Sequence, residues 1–122
     1  MNSVQSPLNL KTRCLNQLRN VFKIPLLEAP LVRFTQGKNL GSWVSKLPPN
    51  NYQYRKPSIR KVQRGGINYQ LDIADLVDWA IYFGMREGAQ ATLMGLIQPG
   101  AVILDVGANT GVYGLAAKAQ NP

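Results

Sequence analysis

The stretch Ala101-Val-Ile-Leu-Asp105-Val-Gly107-Ala-Asn109-Thr-Gly111-Val-Tyr-Gly114-Leu-Ala-Ala-Lys118 limits the possible folds more than any other part of the chain. Val102, Ile103 and Leu104 form a short continuous apolar run, the pattern of a strand buried on both faces in a parallel sheet. Asp105 falls where that strand would end. Gly107 permits a sharp turn out of the sheet, and Gly111 would let a helix and a strand approach closely. Leu115, Ala116 and Ala117 open a helix with small residues for the sheet. The stretch predicts a strand at about 102–105, a glycine loop, and a helix from about Thr110. That order is the first crossover of a doubly wound α/β fold. Ligands of such folds bind outside the carboxyl ends of the strands, so the loop from Asp105 to Gly111 is the natural site.

Upstream, Leu10, Cys14, Leu15, Leu18, Val21 and Phe22 recur at helical spacing. Residues 8–23 therefore read as an amphipathic helix ended by Pro25. Its apolar face is expected to dock on the domain's own core. The competing reading is a membrane-surface or partner helix. Residues 25–58 read as irregular because Pro25, Pro30, Pro48, Pro49 and Pro57 interrupt any long element. Short helical or extended pieces are expected around Leu31–Phe34 and Leu40–Leu47. Tyr52, Tyr54, Arg55 and Lys56 form a basic-aromatic cluster, suited either to stacking on bases or sugars or to packing a loop on the core.

Residues 59–72 predict a β-hairpin. Ile67, Tyr69 and Leu71 alternate with Asn68 and Gln70, and Gly65-Gly66 supplies the positive φ angles of a tight turn. Asp72 or Asp75 can cap a following helix. Leu76, Val77, Ala80 and Ile81 are its expected apolar face, and Gly84 its end. A second helix is expected from about Glu87 to Ile97, with Ala89, Leu93, Met94 and Ile97 inward, stopped by Pro99-Gly100.

At 122 residues and 45% hydrophobic content, the chain has room for one modest core. It has no histidine, which excludes Ser-His and Cys-His catalysis and any histidine-based metal site, and no metal site is expected. The lone Cys14 cannot form an internal disulfide, and residues 1–7 lack a secretory pattern, so a cytoplasmic location is the expectation. No apolar run approaches the ~20 residues of a transmembrane span. Residues 1–64 hold twelve of the fourteen basic residues and only Glu28 as an acid, a net of +11. Residues 65–122 hold Arg86 and Lys118 against five acids, a net of −3. The basic half could attract phosphates or an anionic membrane surface. Its charges are scattered and follow no nucleic-acid motif, so a nucleic-acid partner is not expected.

The glycine register narrows the ligand. A dinucleotide loop needs glycines as G-x-G-x-x-G. Counted from Gly107, Asn109 and Val112 stand at the second and third positions, which disfavours a nicotinamide oxidoreductase. No Lys-Ser/Thr pair follows Gly107, so this is not a P-loop. The acidic-x-G-x-x-x-G pattern after a buried strand resembles motif I of the Rossmann-like methyltransferases. Arg64-Gly65-Gly66 through Asp72, then Tyr82-Phe83-Gly84-Met85-Arg86-Glu87, then Pro99-Gly100, then Asp105-Val106-Gly107-Ala108-Asn109-Thr110-Gly111 resemble, in that order, the FkbM methyltransferase family. The likeness covers roughly residues 58–122, and more loosely the region from 31.

The resemblance implies an incomplete Rossmann-like methyltransferase fold of the α/β class with a helical N-terminal extension and a β-hairpin. It divides the chain into an extension at 1–57 and the start of a methyltransferase domain at 58–122. It implies methyl transfer from S-adenosylmethionine to an oxygen of a sugar, a secondary metabolite or a similar small-molecule or glycan acceptor. The backbone around Gly107, Ala108, Asn109 and Gly111 would cradle the methionyl end of the cofactor. Asp105 would orient the loop or the cofactor's amino group. Glu87 would either touch the cofactor or serve its helix as a first-turn acid. No residue is assigned as catalytic base. Only eleven residues follow Gly111, so the strands that bind ribose and adenine are expected to lie outside this chain, leaving a truncated methyltransferase inactive alone. Val102–Leu104 would then be a strand whose backbone lacks ladder partners. The alternative function is a basic module binding nucleic acid or a membrane surface.

Overall fold

A computed structural model describes residues 9–120. The chain combines helices with one two-stranded antiparallel sheet. Helix α1 (Leu10–Arg19) runs into a 3-10 turn at Asn20–Lys23. Helix α2 spans Pro25–Thr35, and two short 3-10 turns follow at Trp43–Lys46 and Asn51–Gln53. Strands β1 (Ile59–Arg64) and β2 (Ile67–Asp72) form the hairpin. Helices α3 (Leu76–Tyr82), α4 (Gly88–Leu96) and α5 (Val112–Gln120) complete the order. Leu8, placed at the start of the first helix from its sequence, lies outside the described residues.

The hairpin forms in the expected register. Arg64 pairs with Ile67 across the turn, and Gly65 and Gly66 take φ of +54° and +80°. Such a pair of positive φ angles gives a turn whose twist matches that of the strands. Arg60, Val62 and Arg64 share a face with Leu71, Tyr69 and Ile67. Asp75, one of the two candidate caps, accepts from the amides of Val77 and Asp78 at 2.9 and 3.5 Å. Asp72 instead closes the hairpin base by accepting from Ser58 N at 2.8 Å and Ala74 N at 3.1 Å. Those amides, Ser58's first, hold its carboxyl below the usual carboxylate range.

The core takes side chains from both sides of residue 57: Leu31, Val32 and Tyr54 meet Ile73, Trp79, Phe83 and Met85. Phe83 is fully enclosed and packs against the Trp79 and Tyr82 rings, with centroids 5.3 and 5.1 Å away. The Trp79 indole donates to Pro49 O at 2.8 Å. On α3 the buried residues are thus Trp79 and the capping Phe83, while Leu76 and Val77, expected inward, are exposed. The large rings lie one turn apart and outcompete the smaller side chains for the same core.

Helix α2 departs most from the sequence expectation. Pro25 opens it at the first position, where a missing N–H costs nothing. Pro30 sits inside and offers no N–H to the preceding turn. Burial outweighs that loss, because Glu28, Leu31, Val32 and Thr35 all turn inward. The Thr35 hydroxyl donates to Phe83 O at 2.7 Å. Glu28 is 4% exposed and takes Arg60 Nε and Tyr82 OH on one carboxylate oxygen, each at 2.8 Å. Burial, then the Glu28 hydrogen bond, pushes the Tyr82 hydroxyl up to about 12.

Two further expectations fail. Of the apolar stripe expected over 8–23 only Phe22, in the 3-10 turn, packs against the core; no residue of α1 itself is buried. Residues 101–105 form no strand. Ala101 N bonds to Gln98 O at 3.1 Å, but no backbone hydrogen bond involves Val102 to Val106 among the described residues. Val102 is 99% exposed and Leu104 86%. A strand exists only as one rail of a ladder, and no second rail stands beside this one. The segment is not helical either. Its expected successor helix begins at Val112, two residues later than anticipated.

No helix among the described residues is long and apolar enough to cross a membrane. No group of three or more metal-ligating side chains occurs among them.

Candidate functional site

The loop after Asp105 is built from left-handed turns. Gly107, Asn109 and Gly111 take φ of +79°, +49° and +70°. Asn109 is the non-glycine residue held in this region, where a short polar side chain tolerates it best. The Gly111 amide donates to Ala108 O at 2.7 Å, and Leu115 N to Gly111 O at 2.9 Å, which launches α5. A Cβ at Gly107 or Gly111 would meet open space. The close helix–strand approach expected of Gly111 is therefore absent. Its left-handed φ, not tight packing, is what calls for glycine. Gly107, Ala108 and Asn109 are exposed.

Asp105 opens this loop and is half-buried. Its Oδ2 is buried and accepts no hydrogen bond, while a Cβ on Gly114, in the first turn of α5, would stand 3.5 Å from it. A carboxylate oxygen removed from water without a donor is costly, and a cationic or hydrogen-bonding ligand would relieve that cost.

Glu87 stands at the N-cap of α4 but makes no side-chain cap. Its Oε2 accepts from Tyr113 OH at 2.9 Å. Tyr113 thus links the α4 and α5 starts. Its hydroxyl is raised above the ordinary tyrosine value, first by the Glu87 hydrogen bond, then by burial, then by the charges of Glu87 and Asp105. Tyr113 lines two adjoining cavities. One, of about 200 Å³, holds Glu87 with Leu76, Val77 and Met85. The other, of about 240 Å³, holds Asp105 with Met94, Ile97 and Leu104. The Leu76 and Val77 side chains that the core does not take thus face the Glu87 cavity.

Glu87 and Asp105 thus each line a cavity that Tyr113 also lines. Gly107, Ala108 and Asn109 lie exposed on the loop. Sequence reasoning did not single out Tyr113. The signal was available: an aromatic residue in the first turn of a helix that follows a glycine loop has few places to point except back across that loop. A third cavity, of about 280 Å³, adjoins the Glu87 cavity, sharing Ile81, Met85, Gln90 and Val112, and is walled by Arg64 and Arg86. Arg64 donates to Ile81 O and to Tyr82 O at 3.3 and 2.6 Å, satisfying the end of α3.

No family model, curated protein or solved structure matches the chain.

Proposed function

We propose that residues 58–120 form the cofactor-binding opening of a Rossmann-like, S-adenosylmethionine-dependent methyltransferase of the FkbM kind. The observation that carries this reading is that Glu87 and Asp105, the latter with an orphaned buried oxygen, line cavities sharing Tyr113, next to a loop with three left-handed residues. Two carboxylates, one with an orphaned oxygen, suit a ligand bearing an ammonium and a sulfonium. When bound, S-adenosylmethionine supplies a methyl group already activated by its positive sulfur. Asp105 would accept from the amino group, the Gly107–Gly111 backbone would hold the methionyl end, and Tyr113 would fix the Glu87 carboxylate beside the positive centre. A small-molecule or glycan acceptor would enter through the groove that continues toward Arg64 and Arg86, its oxygen placed for in-line attack. No base is assigned to its hydroxyl proton. The unpaired backbone of 102–106 is where a parallel neighbour strand would dock and complete a ribose- and adenine-binding face.

Titration of the chain with S-adenosylmethionine, followed by amide resonances, tests this reading. Contacts to one end of the ligand give a weak dissociation constant, about 1 mM or above, with shifts centred on Asp105–Gly111. Glu87→Gln and Asp105→Asn should each weaken it further. Shifts produced by a nicotinamide dinucleotide but not by S-adenosylmethionine would overturn the assignment.

A further inference from the structure

Helix α1 is mounted with its polar side inward. Thr12, Asn16 and Arg19, with Lys23 of the 3-10 turn that follows, lie along one face and are half-buried, as is Phe22. That face is tied down by hydrogen bonds. Asn16 Nδ2 donates to Tyr52 OH at 3.2 Å, Gln53 Nε2 to Asn16 O at 2.8 Å, and Lys23 Nζ to Gln53 O. Lys23 also stands over the Tyr54 ring, 5.3 Å from its centroid. The opposite face carries Leu10, Cys14, Leu15, Leu18 and Val21, all exposed, with Leu10 at 73% and Leu18 at 67%. An amphipathic helix that spends its hydrogen-bonding face on its own domain leaves the apolar face for something else.

Charge selects the occupant. Residues 9–57 hold nine basic side chains and Glu28 as their only acid. Glu28 is buried against Arg60, so the surface of this part is cationic without an exposed carboxylate. At 3.6 residues per turn, Lys11 falls between Leu15 and Leu18 around the helix. In a face-to-face contact between the α1 helices of two copies, that ammonium would be buried among leucines with no acid to meet it. At a bilayer its four-carbon stem can reach up to the headgroups while the leucines enter the acyl boundary. We infer that the outward face of α1 is a docking surface for an anionic lipid bilayer, held parallel to the membrane plane.

Vesicle co-sedimentation of the full chain tests this surface. Vesicles of equal parts phosphatidylglycerol and phosphatidylcholine should bind the protein at least about tenfold more tightly than phosphatidylcholine alone, since each surface cation adds electrostatic attraction. The double variant Leu10→Gln/Leu18→Gln, at two exposed positions, should lose about tenfold or more on the anionic vesicles with unchanged thermal unfolding. A bimane label on the unique Cys14 should shift to the blue with anionic vesicles, a readout that needs no variant. Equal binding of the double variant, an unshifted label, or no preference for phosphatidylglycerol would overturn the inference. A dimer that the double variant abolishes, without vesicle binding, would give the face to a second copy instead.

Discussion

Residues 59–85 and residues 97–111 each place apolar runs beside glycines that take left-handed φ, yet one stretch closes and the other stays open. In the first, β1 finds β2 across two turn residues, and the chain then lays Trp79 and Phe83 on α2. Each hairpin strand reaches its ladder partner across a two-residue turn. In the second, Val102–Leu104 has the composition of a fully buried strand and no backbone partner among the described residues. Its partner in a parallel sheet would have to arrive by a crossover of a dozen or more residues. The lesson is that an antiparallel hairpin carries its own partner in its local sequence, whereas a parallel strand borrows one from afar.

Substitutions can break this contrast, the largest effect first. Phe83→Ala should cost about 3–5 kcal/mol in urea unfolding, because a ring with no exposure leaves a cavity among Trp79, Tyr82 and Met85. Val102→Ala, at an almost fully exposed position, should change stability by less than about 0.5 kcal/mol. Equal costs would mean that 101–105 is packed in solution.

Arg60→Ala removes the cation from Glu28. Loss of a fully buried partner costs about 3–5 kcal/mol, but the Arg60 side chain is 32% exposed, so about 2 kcal/mol is expected. A change within error would show that water reaches Glu28.

Glycine variants sharpen the comparison. Gly84→Ala meets both a φ of +65° and Gln36 Cα at 3.1 Å, so it should cost about 2 kcal/mol or more. Gly107→Ala meets a φ of +79° and open space, so only the backbone strain of about 1 kcal/mol applies. A reversed order would place the loop in contact with something that closes over it.

The smallest effect is a pH dependence confined to the closed region. Tyr82 titrates at about 12 when folded, against its ordinary 10.0. A raised value favours the neutral phenol in the fold, so its contribution is complete below pH 10 and is lost as pH rises from 10 to 12. The urea midpoint should fall across that window, and Tyr82→Phe should flatten part of the fall. An identical slope in the variant would assign the loss to other groups, Tyr54 among them, whose hydroxyl is also raised by burial.

The amino-acid sequence by itself determined the hairpin and its turn, an aspartate cap at 72 or 75, the Gly84 stop, the α4 span and the left-handed glycine loop after Asp105. Each is a local decision, made by a side chain acting on backbone within a few residues. The family resemblance put Asp105 at a cofactor site and left Glu87 either there or as a first-turn helix acid; that Tyr113 lines a cavity with each of them was visible only in three dimensions. Only the tertiary structure decided that α2 tolerates Pro30, because the gain from burying Leu31, Val32 and Thr35 is invisible until Ile73 and Phe83 arrive. The same holds for α1. Its periodicity fixed that one face is apolar, but periodicity says nothing about which face meets the domain. That choice fell to the hydrogen bonds of Asn16 and Lys23 with residues some thirty positions away. Residues 102–105 show the same limit from the other side, since hydrophobic pattern specifies what a strand would bury but cannot supply the strand beside it.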